Sequence, residues 1–396
     1  MLKICIIFLE RSMTDFQTLI AGMLNDYLHD LEVLVNTDCG THNKAGVDAV
    51  ARYVRGRMLA FGAEVIDLPQ DKFGDMLYAR WRGRGRARVV MLGHLDTVYS
   101  DGTAAQVPFH RLGARLKGPG VNDMKAGVLS GLYAARAIVH SGFDQFAEIG
   151  LFCNSEEEVG SPVSRTLYPQ FVQGADAALV LEPARENGAI VSARKGVGHY
   201  TITVYGKPAH AGVEPEKGAS ATLALAHHII AFHALNGFRP GLTVNVGVVR
   251  GGTRPNVVAE TATAEIDVRI VRAADAEPLE QAMREILARA VVPGTRAELS
   301  GGISNPPMEK TEATARLVEL AKRAARELGF EIEDVATGGG SDGNYTSALG
   351  VPTLDGLGPV GGRGHNALEE YVEANSIVPR TALLAKLIIA LAQSRA

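Results

Sequence analysis

Two short runs do most to restrict the fold of this chain: residues 149–153, Ile-Gly-Leu-Phe-Cys, and residues 177–181, Ala-Ala-Leu-Val-Leu. Each is apolar throughout and too short for a helix, so each reads as a strand buried on both faces. Buried strands need covering helices. Apolar residues at helical spacing supply them at 14–35, 45–61 and 124–139, with Gly62 and Ser141-Gly142 as stops. Residues 76–81 and 87–92 read as further strands around a Gly-Arg turn. Strands alternating with helices predict an α/β layered domain on a mixed sheet.

The pattern changes near Lys195. Residues 199–205 alternate like a half-buried strand, 218–233 read as a helix, 242–250 and 261–270 as strands, 274–290 as a helix and 296–299 as a short strand. The order βαββαβ describes a small ferredoxin-like domain. After Pro306-Pro307 the α/β style resumes. Thr311 is placed to cap a helix running to Leu328, with Gly329 just past its end. The expected organisation is a larger domain in two parts, 13–194 and 305–396, around an inserted domain, 195–304.

Composition narrows the function. A chain of 396 residues with 46% hydrophobic and 21% charged residues is not mostly disordered. A formal net charge of −4 gives no field for a polyphosphate, so nucleic acid is not an expected partner. Arg80, Arg82, Arg84, Arg86 and Arg88 alternate, as on one solvated face of a hairpin, with no aromatic ladder beyond Trp81. Cys5, Cys39 and Cys153 form neither a disulfide framework nor a CxxC knuckle, which fits a reducing compartment. No apolar run approaches the ~20 residues of a membrane helix. Residues 1–9 faintly resemble a signal peptide, but Glu10 and Arg11 follow without a cleavage site, and Met13 is a candidate start. A cytoplasmic protein without membrane partners is expected.

Histidines and carboxylates close the predicted strands. His94 and Asp96, in Gly93-His94-Leu95-Asp96-Thr97, point to one face of an extended segment, where the carboxylate can hold the other ring N–H of a metal-bound histidine. A satisfied core histidine reads the same. Asp123, in Gly118-Pro119-Gly120-Val121-Asn122-Asp123-Met124-Lys125, stands where a glycine-rich loop becomes a helix, and an isolated aspartate there reads first as an N-cap. Glu156-Glu157-Glu158 crowds three carboxylates at a strand end, a repulsion that a cation or open solvent would relieve. Glu182 follows the strand ending at Leu181, and His365 lies in the glycine loop Gly362-Arg363-Gly364-His365-Asn366.

Together, GHLDTV, GPGVNDMKAG, NSEEEVGS, LEP, KPAHAG, GGGSD and GRGHN resemble, in order and approximate spacing, the two-zinc amidohydrolase and exopeptidase family. That family includes a folate-cleaving glutamate carboxypeptidase, acetylornithine deacetylase, succinyl-diaminopimelate desuccinylase and aminoacylase. The resemblance runs over nearly the whole chain from Met13, and EEEVGS, GGGSD and GRGHN look most like the glutamate carboxypeptidase branch. It implies that the larger domain is catalytic and that the insert is a lid through which two copies dimerise. It implies two zinc ions per subunit, with cobalt or manganese able to occupy such ligands. His94 and Glu182 would bind one ion, Glu158 and His365 the other, and Asp123 would bridge them. Asp96 would orient His94, Glu157 would be the general base, and His210 would reach across the dimer to donate to the oxyanion at the other copy's metals. Asn256 and Arg269 would bind the substrate's free carboxylate. The implied reaction is cleavage of an amide or peptide bond beside that carboxylate, with a metal-bridging hydroxide as nucleophile. An N-acylamino-acid deacylase is the alternative. Two departures stand out: Met124 where an acidic residue is expected, and Asn256-Val257-Val258-Ala259 where Asn-Val-Ile-Pro is usual.

A serine hydrolase is a rival, since Gly339-Gly340-Ser341-Asp342-Gly343 fits G-x-S-x-G and Asp355 and His365 follow in the matching order. Too few residues separate them for separate strand ends. The same stretch fits G-x-G-x-x-G from Gly338, but no acidic residue follows at the ribose-binding distance. No HExxH is present, which excludes the helix-borne one-zinc protease motif. A metal-free binding homologue is disfavoured because base, ligands and oxyanion donor are all retained.

Overall fold

The structure, a computed structural model, describes residues 15–395. The readings at Cys5, the apolar start and Met13 lie outside the described residues.

Six strands form a central mixed sheet in the order Glu64–Leu68, Met76–Arg82, Glu148–Asn154, Arg88–His94, Ala177–Val180, Thr353–Leu354. The first two pairings are antiparallel and the last three parallel. The strand Arg88–His94 divides its side chains between two cores. Val89 and Met91 pack with Leu132 and Tyr133 of helix Ala126–His140 and Leu384 of helix Ile377–Gln393. Val90 and Leu92 pack with Tyr168 and Phe171 of helix Ser164–Val172. Burial of such a side chain is worth about 1.5–3 kcal/mol. The firmest part of the sheet is therefore its parallel centre.

Three expectations need correction. Met76–Arg82 and Arg88–His94 are not a hairpin, because Glu148–Asn154 lies between them. The arginines are spent on local carboxylates: Arg80 and Arg82 on Glu64, Arg84 on Asp144, Arg88 on Glu148. The helix expected over 14–35 is two helices, Phe16–Ala21 and Leu24–Val35, broken at Gly22 and Met23. A stretch long and apolar enough for a membrane span does exist, Ala374–Gln393. It packs in the core, with Leu383, Leu384, Leu387 and Ile388 at 0% exposure, and it buries Arg380, whose guanidinium donates to the carbonyls of Gly188, Gly356 and Gly358.

A second, antiparallel sheet has the order Thr243–Gly251, Thr261–Ile270, Gly196–Tyr205, Arg296–Asn305. Helices Ala221–His233 and Ala276–Leu287 cover it, with Leu225, Phe232, Leu279 and Met283 against Tyr200, Ile202 and Val204. This is the ferredoxin-like order. The last strand runs on to Asn305, well past the expected 299. Helix Glu312–Glu327 starts on the Thr311 cap, and Gly329 follows its end with φ +83°.

Candidate active site

Three neighbouring parallel strands deliver their next residues to one edge of the sheet, where α/β proteins place ligands. His94 ends its own strand. Glu148–Asn154 leads through Ser155 and Glu156 into a tight turn, Glu157–Val159. Ala177–Val180 leads to Glu182. The three adjacent glutamates separate their tasks. Glu156 turns away, accepting from the N–H groups of Val163 (2.9 Å) and Ser164 (3.0 Å) at the start of helix Ser164–Val172. Glu157 and Glu158 remain at the site.

His94 is buried. Its Nε2 lies 3.1 Å from Asp123 Oδ1 and 3.6 Å from Glu182 Oε1. Its Nδ1 faces Asp96, with the main-chain oxygen at 2.9 Å and the carboxylate Oδ1 at 3.4 Å. The Asp96 carboxylate also accepts from the Thr41 hydroxyl (2.6 Å) and from the N–H groups of Glu157 (3.2 Å) and Glu158 (3.3 Å). Asp96 thus ties the His94 segment to the Glu157–Glu158 turn.

Asp123 is not a helix cap. Its φ of −115° and ψ of 93° are extended, and the helix starts only at Ala126. Its second oxygen, Oδ2, lies 3.3 Å from His365 Nε2, which is also 3.3 Å from Glu158 Oε2. Asp123 therefore touches both histidines, one with each oxygen. Candidate ligand atoms of His94, Asp123 and Glu158 all fall within 4.8 Å of one another. His365 reaches this place from the loop between strands Gly361–Gly362 and Tyr371–Glu373, at φ +68°. Non-glycine residues at such angles are uncommon and tend to mark functional loops. Met124, where an acidic residue was expected, is buried in the core that packs under the sheet.

The electrostatics are those of crowded carboxylates between two imidazoles. Burial pushes the Asp123 carboxyl up, but its bonds to His365 and His94 outweigh that and hold it well below the usual range. Asp123 and Glu158 push His365 up to about 10. Burial pushes His94 down, and Asp123 and Asp96 more than reverse it. Burial, then the Asp123 charge, pushes Glu182 up to about 8. Burial raises Glu157 well above an ordinary glutamate, with the charges of Asp342, Glu182 and Glu158 adding to it. Buried carboxylates left so close together are costly unless a cation joins them. Glu158 Oε1 is buried with no hydrogen-bond partner. Histidine nitrogen and carboxylate oxygen are the donors that zinc takes. The residues present fit a pair of divalent cations.

His210, Asn256 and Arg269 do not join this cluster in one chain. His210 and Asn256 sit together at the outer end of the small domain, where Ala211 N–H donates to the Asn256 carbonyl. Arg269 sits at the other end of strand Thr261–Ile270, held bidentately by Asp267 (2.9 Å twice) and 3.4 Å from the Gly338 carbonyl. At ~3.3 Å per residue, about 26 Å of strand separates Thr261 from Arg269. The expectation that Asn256 and Arg269 hold one carboxylate is therefore not met within a single chain.

The serine-hydrolase reading fails on geometry. Ser341 caps helix Asp342–Ala348, and its hydroxyl donates straight to Asp355 Oδ2 (2.6 Å). His365 is engaged with Asp123 and Glu158 instead. Asp355 is paired with Arg194 (2.6 Å), which also donates to the carbonyls of Gly339 and Gly340. Sequence reasoning missed Thr41, Arg194 and the buried Glu370. Nothing in their local pattern marks them, because their partners are distant in the chain.

The model of peptidase family M20/M25/M40 matches residues 90–390. Carboxypeptidase G2 of Pseudomonas sp. (strain RS-16) is 28% identical over 366 residues, covering 91% of this chain and 88% of that protein. Succinyl-diaminopimelate desuccinylase of Delftia acidovorans is 28% identical over 347 residues, covering 81% of this chain and 86% of that one. The solved structure of aminopeptidase PepT from Bacillus cereus superposes with a TM-score of 0.80 at 23% identity, over 93% of this chain and 99% of that chain, and carries the same fold. The chain belongs to peptidase family M20/M25/M40 and is one of its metallo-hydrolases.

Proposed function

We propose that this chain is a carboxypeptidase-type hydrolase that uses two divalent metal ions to cleave an amide or peptide bond next to a free carboxylate. The observation that carries the reading is the double contact of Asp123, one oxygen on His94 and the other on His365, while Glu182 lies against His94 and Glu158 against His365. His94, Glu182 and Asp123 would hold one ion, and His365, Glu158 and Asp123 the second. Zinc suits these donors best, with cobalt or manganese as alternatives. When bound, such a pair lowers the pKa of a water and polarises a carbonyl.

The chain's own residues do the rest. Asp96 and Thr41 fix the His94 ring. Glu157 takes a proton from the attacking water and passes it to the amide nitrogen, while the water oxygen stays on the acyl carbon as the new acid. His210 donates to the oxygen that gains charge. Arg269, pre-aimed by Asp267, offers a fork to the substrate carboxylate.

His210 and Asn256 lie too far along the lid to serve their own chain's cluster, so the reading includes a homodimer in which the partner supplies them. The lid supports this. Its edge strand Thr243–Gly251 exposes Val248 and Val249, and helix Ala221–His233 exposes Leu223 and Ile230. Pairing across a two-fold would cover both. A cytoplasmic location belongs to the same proposal, in keeping with the free thiols Cys39 and Cys153.

The test is metal analysis followed by a panel of folates, dipeptides and N-acylamino acids, each as acid and as amide. Two metals per chain and a preference for glutamate-terminated acids are expected. Turnover of acetylated or succinylated amino acids alone would transfer the assignment to the deacylases, a reading the desuccinylase relative favours. A chain that takes up no divalent ion would end both.

A further inference from the structure

Five chain segments carry the proposed metal ligands, and one side chain outside every motif joins three of them, those of His94, Asp123 and His365. Glu370 is fully buried. Its Oε1 accepts from the N–H groups of Asn122 (2.8 Å) and Asp123 (3.0 Å). Its Oε2 accepts from the Gly120 N–H (3.0 Å) and from the Tyr99 hydroxyl. Tyr99 follows His94 and Asp96 on their segment. Gly120, Asn122 and Asp123 form the segment of the bridging carboxylate. Glu370 itself closes the loop that carries His365, with its N–H bonded to the Asn366 carbonyl (2.8 Å).

The need for such a residue follows from the backbone. Residues Gly120–Asp123 run ahead of the helix that starts at Ala126 and pair with none of the described strands. Gly120 has φ +71° and Asp123 is extended, so their N–H groups have no ladder to join. Buried N–H groups need acceptors. A carboxylate that accepts from three of them fixes the path of the segment, and charge-assisted bonds of this kind are the stronger ones.

We infer that Glu370 is the positioning residue of the site: it sets where the Asp123 carboxylate stands between His94 and His365. It touches neither substrate nor metal. Groups of this kind, when removed, typically cost 10–100-fold in metal affinity.

The inference rests on the two-metal reading, and the experiment separates the two. Metal-free wild type is titrated with cobalt(II), followed by calorimetry and by the visible spectrum of the bound ion. Failure of wild type to bind two ions per chain would end the two-metal reading itself. With wild type binding normally, Glu370→Gln is expected to weaken cobalt binding at one or both sites by ~10–100-fold and to change the spectrum. Tyr99→Phe, which spares all three main-chain bonds, should bind cobalt within a few-fold of wild type. A folded Glu370→Gln with wild-type affinity and spectrum would overturn the positioning role and leave the metal site standing. Should that variant not fold, Glu370→Asp is read the same way. Loss of folding in both would assign Glu370 to the fold as a whole, and would equally overturn the inference.

Discussion

A partner-supplied His210 makes a quantitative prediction. His210→Ala and Glu157→Gln should each be close to inactive as pure proteins, the second by at least ~10²-fold in kcat. The lid strand that begins at Gly196 runs ten residues to Tyr205 before the chain reaches His210. At ~3.3 Å per residue that is about 30 Å away from where the strand leaves the catalytic domain. In a dimer with one chain of each kind, one site keeps Glu157 and receives a native His210 from across the two-fold. The other site has lost both. After free exchange of equal amounts, about half of all dimers are mixed and each holds one intact site of two, so about a quarter of wild-type activity should return. Tandem-tag purification of the mixed dimer should raise that to about half. The assay is turnover of whichever acid substrate the panel selects, with exchange verified by native mass spectrometry. Verified mixed dimers no more active than the parents would refute the reasoning, and would leave His210 acting within its own chain or not at all.

Glu157→Gln should retain full metal content while losing turnover, and wild-type kcat in that variant would remove Glu157 as the base. Arg269→Lys should lower kcat/KM on carboxylate substrates by about 10–100-fold, the scale of a charge-assisted bond, and leave the already slow amide substrates unchanged. Arg194→Met strips the buried Asp355 of its only ion-pair partner among the described residues. It should cost about 3–5 kcal/mol in unfolding measurements, with Arg194→Met/Asp355→Leu recovering most of the loss. Equal stability of the single and double variants would show that the pair is not coupled.

What the sequence discloses depends on whether local pattern or distant packing decides. The α/β layering and the inserted ferredoxin-like sheet are legible, because the periods of two and of about 3.6 and the βαββαβ order are written along the chain. His94, Asp123, Glu158, Glu182 and His365 stand out because a polar residue ends an apolar run or sits in a glycine loop, but each is ambiguous alone, and their roles as ligands rest on the resemblance of the seven motifs taken together. Strand order is a different matter. That Glu148–Asn154 enters between Met76–Arg82 and Arg88–His94 is settled by which faces the helices cover, which no local pattern records. The same holds for Glu370, whose neighbours Leu368-Glu369 and Tyr371 suggest an ordinary acidic loop. Asn256 and Arg269 show the converse difficulty: family motifs group them by role, whereas the length of one strand sets them apart.

The cluster also depends on both sides of the insertion. His94, Asp123, Glu158 and Glu182 precede the small domain, and His365 and Glu370 follow it. The chain crosses between domains at Lys195 and again at Pro306, and the buried Asn344 amide donates to both carbonyls (3.1 and 2.7 Å). Its oxygen accepts from the Ser341 N–H (2.9 Å), which anchors the end of the glycine loop. Arg194 holds that loop at Gly339 and Gly340 from the catalytic domain, and Arg269 meets it at Gly338 from the lid. The Asn344 bonds are 3.1 and 2.7 Å and the Arg194 contacts 3.2 Å, all part-buried, while the Arg269 contact is exposed and 3.4 Å long. The glycine loop is therefore held from both sides of the insertion, by Arg194 and Asn344 from the larger domain and by Arg269 from the smaller, which makes it the seam where the two domains meet.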